Sequence, residues 1–246
     1  MIEVQDRIDT ADGPLGIATV RPDGPGPFPV VVSFHHGPGL DEGSKQAMKR
    51  IAEWGYYVVC HDRYHRDAEW LVIDRATASA EDQKRFFEIF VGTTDEMVAA
   101  DLAAVLAHVD ADPAARPAPM GAIGYCIGAR SVLRALAADP ARFRAGVALH
   151  PSRCTTEEVD SPHLDVPSYD GWLYVAFGAD DTIQPPADNT ALIDATNALA
   201  HGEAEILAGA NHGFAVPGAS YHEAAAERSY ARAREVFAQA LQGATP

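Results

Sequence analysis

The chain has 246 residues, 47% of them hydrophobic and 22% charged, the composition of an ordinary globular protein whose size a single core fills comfortably. Its formal net charge of −16 argues against a general nucleic-acid or anionic-membrane binder, since both need a positive surface, but leaves room for a locally positive pocket. Three cysteines, Cys60, Cys126 and Cys154, make no disulfide framework and point to a reducing cytoplasm.

The first residues carry neither the basic nor the apolar segment of a signal peptide, and no apolar run approaches the roughly 18 residues of a membrane span. Residues 2–8 alternate weakly, Asp12-Gly13 gives a turn, and residues 15–20 read as a second strand, together an N-terminal hairpin. A Pro/Gly-rich loop over 22–29 leads into Val30-Val31-Val32-Ser33-Phe34, whose β-branched run suits a buried parallel strand. A helix over 44–54 ends at Gly55, and Tyr56-Tyr57-Val58-Val59-Cys60 is the next buried strand. Residues 62–92 are polar with no sheet signal and read as a cap-like excursion over the site. Thr93 and Glu96 offer a capping box for a helix with Val98, Leu102, Val105, Leu106 and Val109 on one stripe. Strands follow at 120–125, 144–149, 172–177 and 203–207, and helices at 127–138, 187–200 and 221–241. Strands alternating with helices predict one α/β domain over residues 1–246, a mostly parallel sheet with helices on both faces. Reactive residues then belong in loops at the carboxyl ends of the strands.

Gly124-Tyr125-Cys126-Ile127-Gly128 is the most informative segment. It follows a strand and opens a helix, the setting of a nucleophile elbow with cysteine in place of serine. Glycines two before and two after the central residue let helix and neighbouring strand approach. A thiol at a helix N-terminus is biased toward thiolate, and the Ile127 amide is placed to act as an oxyanion donor. Alone, the segment also fits a buried structural cysteine in a glycine-containing turn. Two later segments favour the chemical reading. Gly178-Ala179-Asp180-Asp181 follows a strand, and Asn211-His212-Gly213-Phe214 lies after the last strand. The order nucleophile, acid, base is that of α/β hydrolases. A thiol needs a base to take its proton, and the base needs a carboxylate to fix its tautomer.

With these segments in view, the sequence resembles the dienelactone hydrolase family of α/β hydrolases. The resemblance is carried by residues 51–66 around Gly55-Tyr56 and Asp62-Arg63-Tyr64-His65-Arg66, by the cysteine elbow at 124–129, by the acid loop at 178–185 and by His212-Gly213-Phe214. It implies hydrolysis of small esters or lactones through a Cys-His-Asp triad with no metal or other cofactor, in a monomer or small homo-oligomer. Carried across, Cys126 is the nucleophile and His212 the base. The family's Gly-x-x-Asp pattern selects Asp181 as the acid over Asp180. The elbow departs by ending Gly128-Ala129 where the family usually has Gly-Gly. The loop after the early strand, Phe34-His35-His36-Gly37, lacks the glutamate of the family's best-known member, and leaves the His36 or Gly37 N–H as second oxyanion donor. Lys84, Arg85 and Arg130 are candidates to hold a substrate carboxylate, with solvated surface charge the simpler reading.

Two rival readings stand beside this one. His35, His36, His61, Asp62 and His65 cluster at two neighbouring strand ends, and three imidazoles with a carboxylate are a plausible zinc set for a metal-dependent hydrolase. A non-catalytic ligand-binding protein on the same scaffold is the other, because fold does not fix function. Cys60 reads as core. Cys154, shortly after a strand, reads as a neighbour of the site.

Overall fold

The computed structural model describes residues 1–242. Its sheet has eight strands: β1 (Ile2–Thr10), β2 (Gly13–Arg21), β3 (Phe28–Phe34), β4 (Tyr57–His61), β5 (Ala115–Tyr125), β6 (Phe143–Leu149), β7 (Trp172–Gly178) and β8 (Gly202–Leu207). They lie in the order β1-β2-β4-β3-β5-β6-β7-β8. The β1–β2 hairpin is antiparallel, β2 pairs antiparallel with β4, and every later pairing is parallel. This is the expected α/β-hydrolase architecture, with strand order reversing between β3 and β4.

Successive side chains of a strand face opposite sides of the sheet, and the core divides accordingly. Val31, Val58, Cys60, Ile123, Val147 and Ala176 pack toward α1 (Glu42–Ala52) and α6 (Glu223–Phe237). Val30, Val32, Val59, Ala122, Ala148 and Val175 pack toward α3 (Asp95–Ala111), α4 (Ile127–Ala138) and α5 (Thr190–Asn197).

Several boundaries differ from the sequence expectation, each for a local reason. The stretch 62–92 is not all loop. It contains α2 (Ala80–Gly92), capped by Ser79 and packed through Phe86 and Ile89 onto Tyr64 and Ile73 in a small separate cluster. The cap of α3 is Thr94, which accepts from the Met97 N–H, whereas the Thr93 hydroxyl bonds back to the Ile89 carbonyl and finishes α2. β5 starts at Ala115, with a register irregularity at Met120/Gly121 that separates its two halves. The terminal helix begins at Glu223, because the His222 ring caps it by accepting from the Ala225 N–H. Among the described residues no helix is long and apolar enough to cross a membrane.

Candidate active site

Cys126 stands between β5 and α4 with φ 55° and ψ −118°, a backbone conformation that residues other than glycine rarely adopt. The flanking glycines explain how the turn fits. A Cβ on Gly124 would lie 2.2 Å from the Gly128 carbonyl oxygen, and one on Gly128 would lie 2.2 Å from the Phe34 carbonyl oxygen. The helix therefore crosses β3 at a distance only glycine permits. The turn is then pinned: the Cys126 N–H reaches the Leu149 carbonyl and His150 Nδ1, both at 3.1 Å, and its carbonyl accepts from the Ser152 N–H at 3.0 Å.

The loops after β7 and β8 bring Asp181 and His212 together. His212 Nδ1 donates to Asp181 Oδ2 at 2.7 Å, and Asp181 Oδ1 accepts from the Ile183 and Gln184 N–H groups at 2.8 Å each. This assigns the Nδ1–H tautomer and leaves Nε2 to act as a base. Nε2 is buried and closes no conventional hydrogen bond, yet it stands close enough to Cys126 for each group to shift the other. Burial raises the Cys126 thiol pKa, but pairing with His212 and the Gly37 and Ile127 N–H groups outweighs it, and the thiol falls below its ordinary value. Burial lowers His212, but Asp181 and Cys126 outweigh it, and the imidazole is held well above the usual histidine range. Asp181 is raised by burial and lowered more by His212 and its two backbone donors. Both shifts run in the direction of a thiolate–imidazolium pair. The other two thiols differ. Burial pushes Cys60 up to about 12 and also raises Cys154, whose Sγ sits against the Ser152 carbonyl.

The candidate oxyanion donors are the Ile127 and Gly37 amides, which both act on the Cys126 thiol. The Tyr64 hydroxyl donates to the Gly37 carbonyl at 2.7 Å, and Phe86 and Phe90 of α2 lie beside the Gly37 Cα. Of the two N–H groups the sequence offered in this loop, the Gly37 one acts on the thiol; the His36 ring pairs through Nε2 with Asp41 at 2.9 Å, and Asp41 also caps α1.

Comparison with known proteins identifies the family. The sequence profile of the dienelactone hydrolase family matches residues 16–241, nearly the whole chain. The chain belongs to the dienelactone hydrolase family. A protein of Synechocystis sp. named "Putative carboxymethylenebutenolidase" is 26% identical over 224 residues, covering 88% of each chain. A Klebsiella pneumoniae crystal structure titled "Putative Dienelactone Hydrolase" superposes with a TM-score of 0.81 at 24% identity, covering 97% of this chain and 98% of that one. A dienelactone hydrolase-like promiscuous phosphotriesterase from metagenomic libraries gives 0.73 at 22% identity, covering 97% and 98%. At these identities the structural likenesses speak to the fold, and family membership makes the protein a hydrolase acting on a small molecule.

The remaining sequence candidates of this hydrolase sort clearly. The histidines of the zinc reading do not converge. His35 donates from Nδ1 to the His36 carbonyl and accepts at Nε2 from the Arg63 N–H, and the His65 ring lies between the Pro14 carbonyl and Asp101. Among the described residues, no group of three or more His, Cys, Asp or Glu side chains is arranged to hold a metal ion. Lys84 and Arg85 are exposed on α2, and Arg130 is bound to Asp95 and to the Arg153 carbonyl. Asp180 is exposed, and the carboxylate bonded to the His212 ring is that of Asp181. Sequence reasoning missed two residues. Arg63 is buried with its Nη1 on the Ser131 hydroxyl and no carboxylate partner among the described residues. His150 is fully buried against the Cys126 backbone. The available signal for both was a polar residue at or just past the carboxyl end of an apolar strand.

Proposed function

We propose that this hydrolase cleaves small carboxylic esters or lactones through a thioester on Cys126. The observation that carries the reading is the His212–Asp181 bond, which leaves Nε2 with no other partner among the described residues and facing a thiol that two backbone amides also address. The Cys126 thiolate attacks the substrate carbonyl, and the oxyanion takes hydrogen bonds from the Ile127 and Gly37 N–H groups. As the tetrahedral adduct collapses, the His212 imidazolium gives its proton to the leaving alkoxide; in a lactone this alcohol stays attached to the acyl group. His212, neutral again, takes a proton from water, and the resulting hydroxide attacks the thioester. The carboxylic acid leaves and the thiolate–imidazolium pair is restored. Asp181 stays ionised throughout and holds the ring.

In this reading residues 1–246 form one domain, and 62–92 with α2 is its cap, supported by the contact of Phe86 and Phe90 with the Gly37 loop. A reducing compartment, the cytoplasm in the simplest case, suits a resting thiolate. The experiment is a turnover panel of small aryl esters, lactones and thioesters. Turnover of esters and lactones that disappears in Cys126→Ala supports the reading. Hydrolysis that survives that substitution rejects it.

A further inference from the structure

We propose that His150 is a positioning residue that couples the nucleophile to the base, gripping the Cys126 backbone with one ring nitrogen while its ring backs His212. The inference rests on the roles given to Cys126 and His212 above. His150 ends β6 at φ 39°, and its own N–H is anchored to the Ala176 carbonyl of β7 at 2.8 Å. From there its Nδ1 accepts the Cys126 N–H at 3.1 Å, sharing that proton with the Leu149 carbonyl. With the Ser152 N–H on the Cys126 carbonyl, residues 149–152 hold both backbone polar groups of the strained residue. Strain of this kind persists only when the surroundings over-determine it. The same ring meets His212 edge-to-face with centroids 5.2 Å apart, and meets Phe214 at 5.3 Å.

Packing alone does not account for an imidazole here. The residue is fully buried, and Nε2 has no hydrogen-bond partner among the described residues, so the site carries the cost of a desolvated donor that a leucine would avoid. What the imidazole adds is an acceptor at Nδ1. That acceptor also fixes the ring as the neutral Nε2–H tautomer, because a proton on Nδ1 would face the Cys126 N–H. Burial, with the His212 charge beside it, works in the same direction. A neutral ring can lie against the His212 imidazolium in each turnover without repelling it or taking its proton.

The test compares His150→Asn, His150→Gln and His150→Leu. Asparagine places a carbonyl oxygen near the position of Nδ1, glutamine reaches toward Nε2, and leucine fills the space with no acceptor. The expected result is a fall in kcat on the order of 10²-fold for Leu with little change in KM, the size of effect expected from a misplaced reacting group. The alkylation midpoint of Cys126 should rise in the same variant. Asparagine should restore kcat and midpoint better than glutamine, a comparison that stands even where the leucine variant fails to fold. The proposal is overturned when asparagine is no better than glutamine, or when kcat follows thermal stability alone and the alkylation midpoint stays at the wild-type value. Failure of the underlying reading looks different: wild-type Cys126 would alkylate as a free thiol, with or without His212.

Discussion

Gly128→Ala probes how the site is held, because the substitution touches none of the reacting groups. The added Cβ would fall 2.2 Å from the Phe34 carbonyl oxygen and 2.8 Å from that of His35. These are backbone atoms at the end of the central strand β3, so they cannot swing aside as a flexible side chain would. To reach ordinary contact α4 must retreat from β3 by roughly 1 Å, since interiors are close-packed and do not absorb such an overlap elsewhere. The first turn of α4 carries the Cys126 sulfur and the Ile127 N–H, while the Gly37 N–H stays with the β3 side. The retreat therefore separates the two proposed oxyanion donors. A 1 Å misplacement costs on the order of 10²-fold in rate, and overpacking costs about 1–3 kcal/mol of stability. The assay is kcat/KM on an ester substrate beside urea unfolding, with Gly92→Ala as control, since a Cβ there meets nothing within 4 Å. Activity and stability in Gly128→Ala equal to those of the control would refute the reasoning.

Further outcomes follow from the same geometry. Cys60→Ala and Cys154→Ala should retain the chemistry that Cys126→Ala loses, because burial holds both other thiols protonated; kcat of the three variants checks this. Asp181→Asn should lower kcat by on the order of 10²–10⁴-fold by disturbing the His212 tautomer, and Asp180→Asn should do far less; equal losses would mean that the acid is misassigned. Prolonged chelation should leave turnover intact, whereas loss that zinc restores would return the histidine cluster to consideration. Stability should fall as pH drops below about 6.5. His35 is held neutral to about pH 3 and His61 to about pH 4, so in that window the unfolded chain binds protons that the folded chain does not. Each group then removes about 1.4 kcal/mol per pH unit. Urea midpoints that stay flat from pH 6.5 to 4.5 would contradict this.

The parallel core of the sheet was readable because Val30-Val31-Val32 and Tyr57-Val58-Val59 are buried on both faces and leave unbroken apolar runs. Helix α2 was not readable. Its apolar residues are divided between an inner face, Phe86 and Ile89, and an exposed one, Phe87 and Val91, so no clean stripe marks the helix. The one-residue error at the α3 cap arose from two adjacent threonines, which only the bond from Thr93 to Ile89 tells apart. Cys126, Asp181 and His212 were suggested by their places at strand ends, and the structure brings the Asp181 and His212 side chains into contact. The sequence offered the His36 and Gly37 N–H groups equally as donors, and only the loop's path in space shows that the Gly37 N–H acts on the Cys126 thiol. His150 escaped notice because its role depends on the β5–β6 register, which sets Tyr125 opposite Leu149 and so places the next two residues together.

The most direct test of the thioester account is intact-protein and peptide mass spectrometry of the enzyme quenched in acid during turnover of a slow ester. The account expects an added acyl mass on the peptide that contains Cys126, removable by hydroxylamine and absent from Cys126→Ala. Full turnover with no acyl adduct on Cys126, or with the adduct on another residue, would contradict it.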